Sequence, residues 1–147
     1  MNKKVSVLVL ERDTQRINYF DLNFKNRVLN YKVVKNMQDF YDTLLPRPWD
    51  FIFVENDLAP EALAANDPRS GYNALVVFNE QLAPELKEFN QGIIVHTANT
   101  IAQNNMQEYA YINNIPKVKF LPFNTSEFKG EIVKIQKYIS DTELNQY

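Results

Sequence analysis

The 147-residue sequence contains no cysteine, which excludes a disulfide framework and a thiolate metal site and makes a cytoplasmic address the simplest expectation. Only 3 glycines occur, so the chain is neither a flexible linker nor a low-complexity segment. There is 1 histidine, so any imidazole chemistry falls to His96. No apolar run approaches the roughly 20 residues of a membrane helix. The stretch Val5 to Leu10 is too short for a signal-peptide core and ends in Glu11-Arg12-Asp13. An excess of one charge is lacking too: 16 basic and 18 acidic residues are interspersed, for a formal net charge of -2. Nonspecific DNA or RNA binding needs clustered Lys and Arg, and that footprint is missing. The expectations are no membrane association and no nonspecific DNA binding, with a small nucleotide or a single RNA end left open as a ligand.

What is present is a domain-sized core: 45% of residues are apolar and 13% aromatic. The expected organisation is a single domain over residues 1–140, followed by a frayed polar tail at 141–147. Val5 to Leu10 reads as a short buried parallel strand. Asp13 or Thr14 can cap a helix carrying Ile17, Phe20 and Phe24. Leu29 to Val34 is a second strand, and Asn36 can cap a helix with Met37, Phe40, Tyr41, Leu44 and Leu45. Phe51 to Val54 is the most apolar strand. After a polar loop, a third helix starts near Gly71. Ile93 to Val95, a helix with Ile101, Met106, Tyr109 and Ile112, the strand Val118 to Leu121, and a helix capped by Asn124 or Thr125 complete the chain. Five strands alternate with five helices. That alternation predicts a doubly wound five-stranded parallel sheet with helices on both faces.

In such a sheet, ligands bind outside the carboxyl ends of the strands. Those ends carry Glu11-Arg12-Asp13, Glu55-Asn56-Asp57, His96-Thr97-Ala98-Asn99 and Leu121-Pro122-Phe123. Two acidic clusters side by side can hold Mg²⁺ or act as an acid/base pair, or they can be solvated acids at helix N-termini. His96 can act as a general acid or base, or sit partly buried against a loop carbonyl. Thr97 and Asn99 can hydrogen-bond an oxyanion. Arg12, Arg16 and Arg69 can bind phosphate bidentately or pair with nearby acids. Trp49 and most aromatics read as core.

The segments Val7 to Asp13, Trp49 to Glu55, Ile94 to Ala98 and Leu121 to Phe123 resemble response-regulator receiver domains (the flavodoxin-like, CheY-like three-layer sandwich) over about Val5 to Phe123. Within that resemblance Glu55 stands where the phospho-accepting aspartate is expected. Arg12 replaces a metal-binding acid, which disfavours Mg²⁺, and Leu121 replaces a lysine. The switch threonine is matched by Thr97. A narrower resemblance is to the cyclic-phosphate-processing receiver-like family, carried by Glu55-Asn56-Asp57-Leu58, Ser70-Gly71-Tyr72, His96-Thr97-Ala98-Asn99 and Asn105-Met106.

The narrower resemblance implies action on, or binding of, a cyclic phosphate or an RNA or nucleotide phosphate end, with a bacterial or phage source expected. His96, Asp57 and Glu55 would carry the chemistry. Glu11, Asp13, Arg16, Asn56, Thr97, Asn99 and Arg69 would hold the ligand. Asn56 replaces a family histidine and cannot shuttle protons at neutral pH. The alternative is a non-catalytic receiver that binds a protein through Tyr109, Tyr111, Phe120, Phe123 and Tyr138.

Overall fold

The computed structural model describes residues 5–61, 64 and 66–144. Five strands, β1 (Ser6–Leu10), β2 (Asn30–Val34), β3 (Phe51–Val54), β4 (Gly92–Val95) and β5 (Val118–Phe120), form one parallel sheet in the order β2-β1-β3-β4-β5. The central strands β1, β3 and β4 are buried along their whole length, as their unbroken apolar runs require. The edge strand β2 is only partly buried. Its expected first residue, Leu29, lies just outside the strand and is exposed.

The helices are α1 (Thr14–Phe24), α2 (Met37–Leu44), α3 (Tyr72–Gln81), α4 (Pro84–Phe89), α5 (Thr100–Ile112) and α6 (Ser126–Leu144). That is six helices among the described residues rather than the expected five. The addition, α4, is a single surface turn-and-a-half that buries no side chain, so it leaves no apolar periodicity to read. Pro84 starts it, at a position where the missing N–H costs nothing. Side-chain caps hold the starts of α1, α2 and α5: Asp13 Oδ2 accepts from the Arg16 N–H (2.9 Å), Asn36 Oδ1 from Asp39 (2.8 Å) and Asn99 Oδ1 from Ala102 (3.0 Å). For α6, Thr125 Oγ1 accepts from the Phe128 N–H (3.2 Å). In place of the expected frayed tail over 141–147, α6 continues to Leu144, and 145–147 lie outside the described residues.

Two apolar layers flank the sheet. Leu8, Leu10, Ile52, Val54, Ile93 and Val95 face α2, α3 and α5 through Phe40, Leu44, Leu75, Phe78 and Met106. Val7, Val9, Phe51, Phe53 and Ile94 face α1 and α6 through Phe20, Phe24, Phe128, Ile132, Ile135 and Ile139. The alternation along each strand also sets the direction of the first residue past its carboxyl end. Leu10, Val54 and Val95 are in register across β1, β3 and β4 and all face the first layer. The next residues, Glu11, Glu55 and His96, therefore turn together toward α1 and α6. The backbone ladder runs on through them: Glu55 N donates to Leu10 O (3.1 Å) and His96 N to Val54 O (3.0 Å).

Candidate functional site

Glu11, Glu55 and His96 meet at the carboxyl edge of the sheet, with a ligating atom from each within 4.8 Å of the others. All three are buried: 1%, 3% and 0% exposed. The Nε2–H of His96 donates to Glu11 Oε1 at 2.8 Å. Glu11 Oε2 accepts the backbone N–H groups of Arg12 (3.0 Å) and Asp13 (3.2 Å). Glu55 Oε2 likewise accepts those of Asn56 (2.7 Å) and Asp57 (3.2 Å). This leaves Oε1 of each carboxylate facing the other, and the first turn of α1 supplies a cation between them. Arg16 Nη1 lies 2.6 Å from Glu55 Oε1 and 3.7 Å from Glu11 Oε1. Its guanidinium rests over the Phe123 ring, 5.0 Å from the centroid, which adds a cation–π contact.

Burial on its own would push the Glu11 carboxyl up. The hydrogen bond and charge of His96, the Asp13 backbone N–H and the Arg16 guanidinium outweigh it and hold Glu11 below the usual carboxylate range. Glu11 is thus an anchored anion rather than a proton donor poised near neutrality.

The surroundings of His96 decide what it can do. Phe20, Phe53, Phe128 and Phe123 enclose the ring at centroid distances of 5.2, 6.3, 6.2 and 6.3 Å. Its Nδ1 is buried with no hydrogen-bond partner. One nitrogen is committed to Glu11 and the other faces hydrocarbon, so neither reaches a substrate.

A cleft of about 770 Å³ opens above the cluster, lined by Glu11, Arg12, Asp13, Arg16, Glu55, Asp57, Phe123 and Asn124 among others; His96 is not part of its wall. The wall carries four carboxylates and two guanidiniums, so the cleft favours cations over phosphates. Arg12 is exposed at this rim. The positive charge expected from Arg12 inside the acidic pocket comes instead from Arg16.

The other candidate residues form a second group. Asp57 Oδ1 accepts from Asn56 Nδ2 (3.0 Å) and Asn99 Nδ2 (3.1 Å). Asn56 is fully buried and its Oδ1 accepts the Tyr72 N–H at 3.0 Å, so its amide joins the β3 end to the start of α3. Gly71 is required beside it, since a Cβ there would lie 1.7 Å from Glu55 O. Thr97 is buried, and its Oγ1 accepts the Asn99 N–H (3.2 Å). Asp13 serves as the α1 cap. Arg69 is not brought to the cleft: it pairs with Asp67 (3.0 Å) and Glu61 (2.9 Å) in the β3–α3 loop and lines a separate hollow beside Tyr41 and Leu58.

The expected aromatic face is divided by the sheet. Tyr109 and Phe120 pack on the α2/α3/α5 side, whereas Phe123 and Tyr138 pack on the α1/α6 side. Of the five residues only Tyr111 is exposed, at 85%. The other four are half-buried, because helix–sheet packing takes up part of their aromatic surface.

A divalent ion does not fit this arrangement. Both inner carboxylate oxygens are already engaged, by Arg16 and His96, and both outer ones by backbone N–H groups.

The architecture matches known structures. The signal receiver domain of a protein described as a Luxo repressor, from Vibrio parahaemolyticus, superimposes with a TM-score of 0.59 at 14% identity, covering 98% of each chain. The chain has the receiver fold. A response regulator from Burkholderia pseudomallei, determined with a phosphorylated aspartic acid, a calcium ion and citrate, gives a TM-score of 0.55 at 12% identity, covering 97% of this chain and 75% of that one. No protein-family model matches the sequence, and no curated protein does. Among the described residues of this receiver fold, no helix is long and apolar enough to cross a membrane.

Proposed function

We propose that this receiver-fold chain is a non-catalytic regulatory module that acts by binding another protein, with its acidic pocket closed by internal charge pairing. The complete burial of His96 between Glu11 and four phenylalanine rings carries this reading. A general acid or base must come within hydrogen-bond reach of the proton it moves, and His96 has no such access. Asp57, the second acid/base candidate, is held by two side-chain amides rather than by the histidine.

The Burkholderia protein holds a phosphorylated aspartic acid and a calcium ion. Here the resemblance puts Glu55 at the acceptor position, and Arg16 already neutralises it. A carboxylate so engaged is a poor nucleophile toward a phosphoryl donor. The pocket is therefore fixed in one charge state, and the module depends on its partner rather than on a phosphorylation cycle.

The second reading is binding or processing of a cyclic phosphate or an RNA phosphate end. One observation favours it: Arg12 and Arg16 both line the cleft. The four carboxylates in the same wall oppose it.

Incubation with 2′,3′-cyclic-phosphate oligoribonucleotides, cyclic nucleotides and acetyl phosphate, with and without Mg²⁺, separates the readings. The module predicts no turnover, no covalent phosphate on the protein and no thermal shift. Turnover that His96→Leu abolishes while the variant stays folded would establish the second reading in its place.

A further inference from the structure

We propose that Arg16 is a tethered cation that takes the place of a divalent ion between Glu11 and Glu55, making the wild-type fold indifferent to metal and leaving a latent metal site that opens when Arg16 is removed. Two carboxylates buried side by side repel each other and resist ionisation unless a positive charge sits between them. Their outer oxygens are satisfied locally, by backbone N–H groups one and two residues on. Of the inner oxygens, Glu11 Oε1 is met by His96 at 2.8 Å, whereas Glu55 Oε1 is met by Arg16 Nη1 at 2.6 Å, from where the same guanidinium lies 3.7 Å from Glu11 Oε1.

Arg16 is held there twice over. Its own N–H is bonded to the Asp13 cap (2.9 Å), and its guanidinium rests over Phe123 at 5.0 Å. A cation covalently tied to α1 has an effective concentration that a free ion at cellular levels does not match.

Shortening Arg16 would leave the Glu11 and Glu55 carboxylates lining a cleft of about 770 Å³, with a His96 ring nitrogen buried behind them and a ligating atom of each within 4.8 Å of the others. A mixed oxygen and imidazole set suits Mn²⁺, Co²⁺ or Zn²⁺ better than Mg²⁺. Arg16 plays this part whether or not the chain has a protein partner.

The test is thermal unfolding of the full chain in EDTA and in millimolar MnCl₂, with Mn²⁺ binding followed by the loss of its free-ion EPR signal. The wild type melts at the same temperature in both and leaves the signal intact. Arg16→Gln melts roughly 5–10 °C lower in EDTA, recovers at least half of the loss with Mn²⁺, and depletes the signal. Adding Glu55→Gln to that variant removes the Mn²⁺ response. Arg16→Met, which keeps the apolar stem over Phe123, repeats the measurement if the Gln variant does not fold. Wild-type protein that binds and is stabilised by Mn²⁺, or folded Arg16 variants blind to it, overturns the proposal. Neither result touches the turnover assays, so the regulatory role stands or falls separately.

Discussion

His96→Leu tests the buried histidine–glutamate hydrogen bond directly, and the structure sets the size of the effect. The substitution removes a hydrogen bond to a charged acceptor, 2.8 Å long, contributing about 1.5–3 kcal/mol. Glu11 keeps two backbone N–H bonds and the Arg16 charge at 3.7 Å, so the carboxylate is weakened rather than abandoned. In the other direction, the imidazole takes its partnerless Nδ1 with it, relieving about 1 kcal/mol of unmet desolvation. Leucine suits the phenylalanine enclosure, so the packing change is small. The net loss is about 1–2 kcal/mol at pH 7, read as a lower urea midpoint at unchanged slope.

The loss has a definite pH dependence. Glu11 is held below its ordinary value of 4.5 in the folded state. Its stabilisation is therefore complete above the unfolded value and disappears as pH falls through the lower folded one. The wild-type advantage over His96→Leu persists from neutral pH down to that window and shrinks below it. In a double-mutant cycle, Glu11→Gln with His96→Leu costs less than the sum of the single changes. Additive single effects, or a His96→Leu variant as stable as the wild type at pH 7, would refute the pairing.

The same geometry sets other outcomes. Asp50 is buried just before β3, where its carboxylate accepts the Ser6 backbone N–H at 2.8 Å and its own backbone N–H, and burial still pushes its carboxyl above the ordinary 3.8. The native state then holds a proton that the unfolded chain has released, so stability falls as pH rises through that window. Asp50→Asn should be at least as stable as the wild type at pH 7 and flatten the acid limb of the urea midpoint. A clear loss at pH 7 with the limb unchanged would contradict this. Gly71→Ala, which drives a Cβ to 1.7 Å from Glu55 O, should cost about 2–3 kcal/mol by forcing the backbone apart, and thermal melting near the wild-type value would show that the close approach is absent. Tyr111→Ser should change stability by less than about 0.5 kcal/mol, since the side chain is 85% exposed. The same variant is therefore the safe one for mapping a partner by pull-down, because lost binding would not reflect lost folding.

Much of the architecture is legible in the residues. The runs from Val7, Phe51 and Ile93 are too apolar and too short for anything but buried strands, and Asp13 and Asn36 cap the helices they precede, whereas Asn99, expected as an oxyanion ligand, is the cap of α5. α4 is not legible, because only Leu86 among its six surface residues packs against the core, and one position imposes no period. The placing of Glu11, Glu55 and His96 at neighbouring strand ends is a result of strand order alone. Their convergence on one face is a result of the two-residue alternation.

The choice of partners is not local. Asp57 is separated from His96 by a loop, two helices and β4 and reads as its natural companion, yet its oxygen is taken by Asn56 and Asn99. Arg12, adjacent to Glu11 in the chain, stays exposed at the cleft rim, while Arg16, a helical turn further on, pairs with both glutamates. The reason is geometric. Arg12 lies in the link before α1 begins, whereas Arg16 lies in the first turn of α1, which packs on the sheet face toward which Glu11 and Glu55 turn.

The sequence by itself determined a parallel α/β sheet and a row of two glutamates and a histidine along its carboxyl edge, because strand length, apolarity and alternation are local properties. Only the tertiary structure decided how this row is partnered and how deeply it is buried. Where α1 and α6 settle on the sheet fixes which cation meets the glutamates and how many phenylalanine rings surround the imidazole. Those contacts join residues as far apart as Glu11 and His96, which no local pattern records.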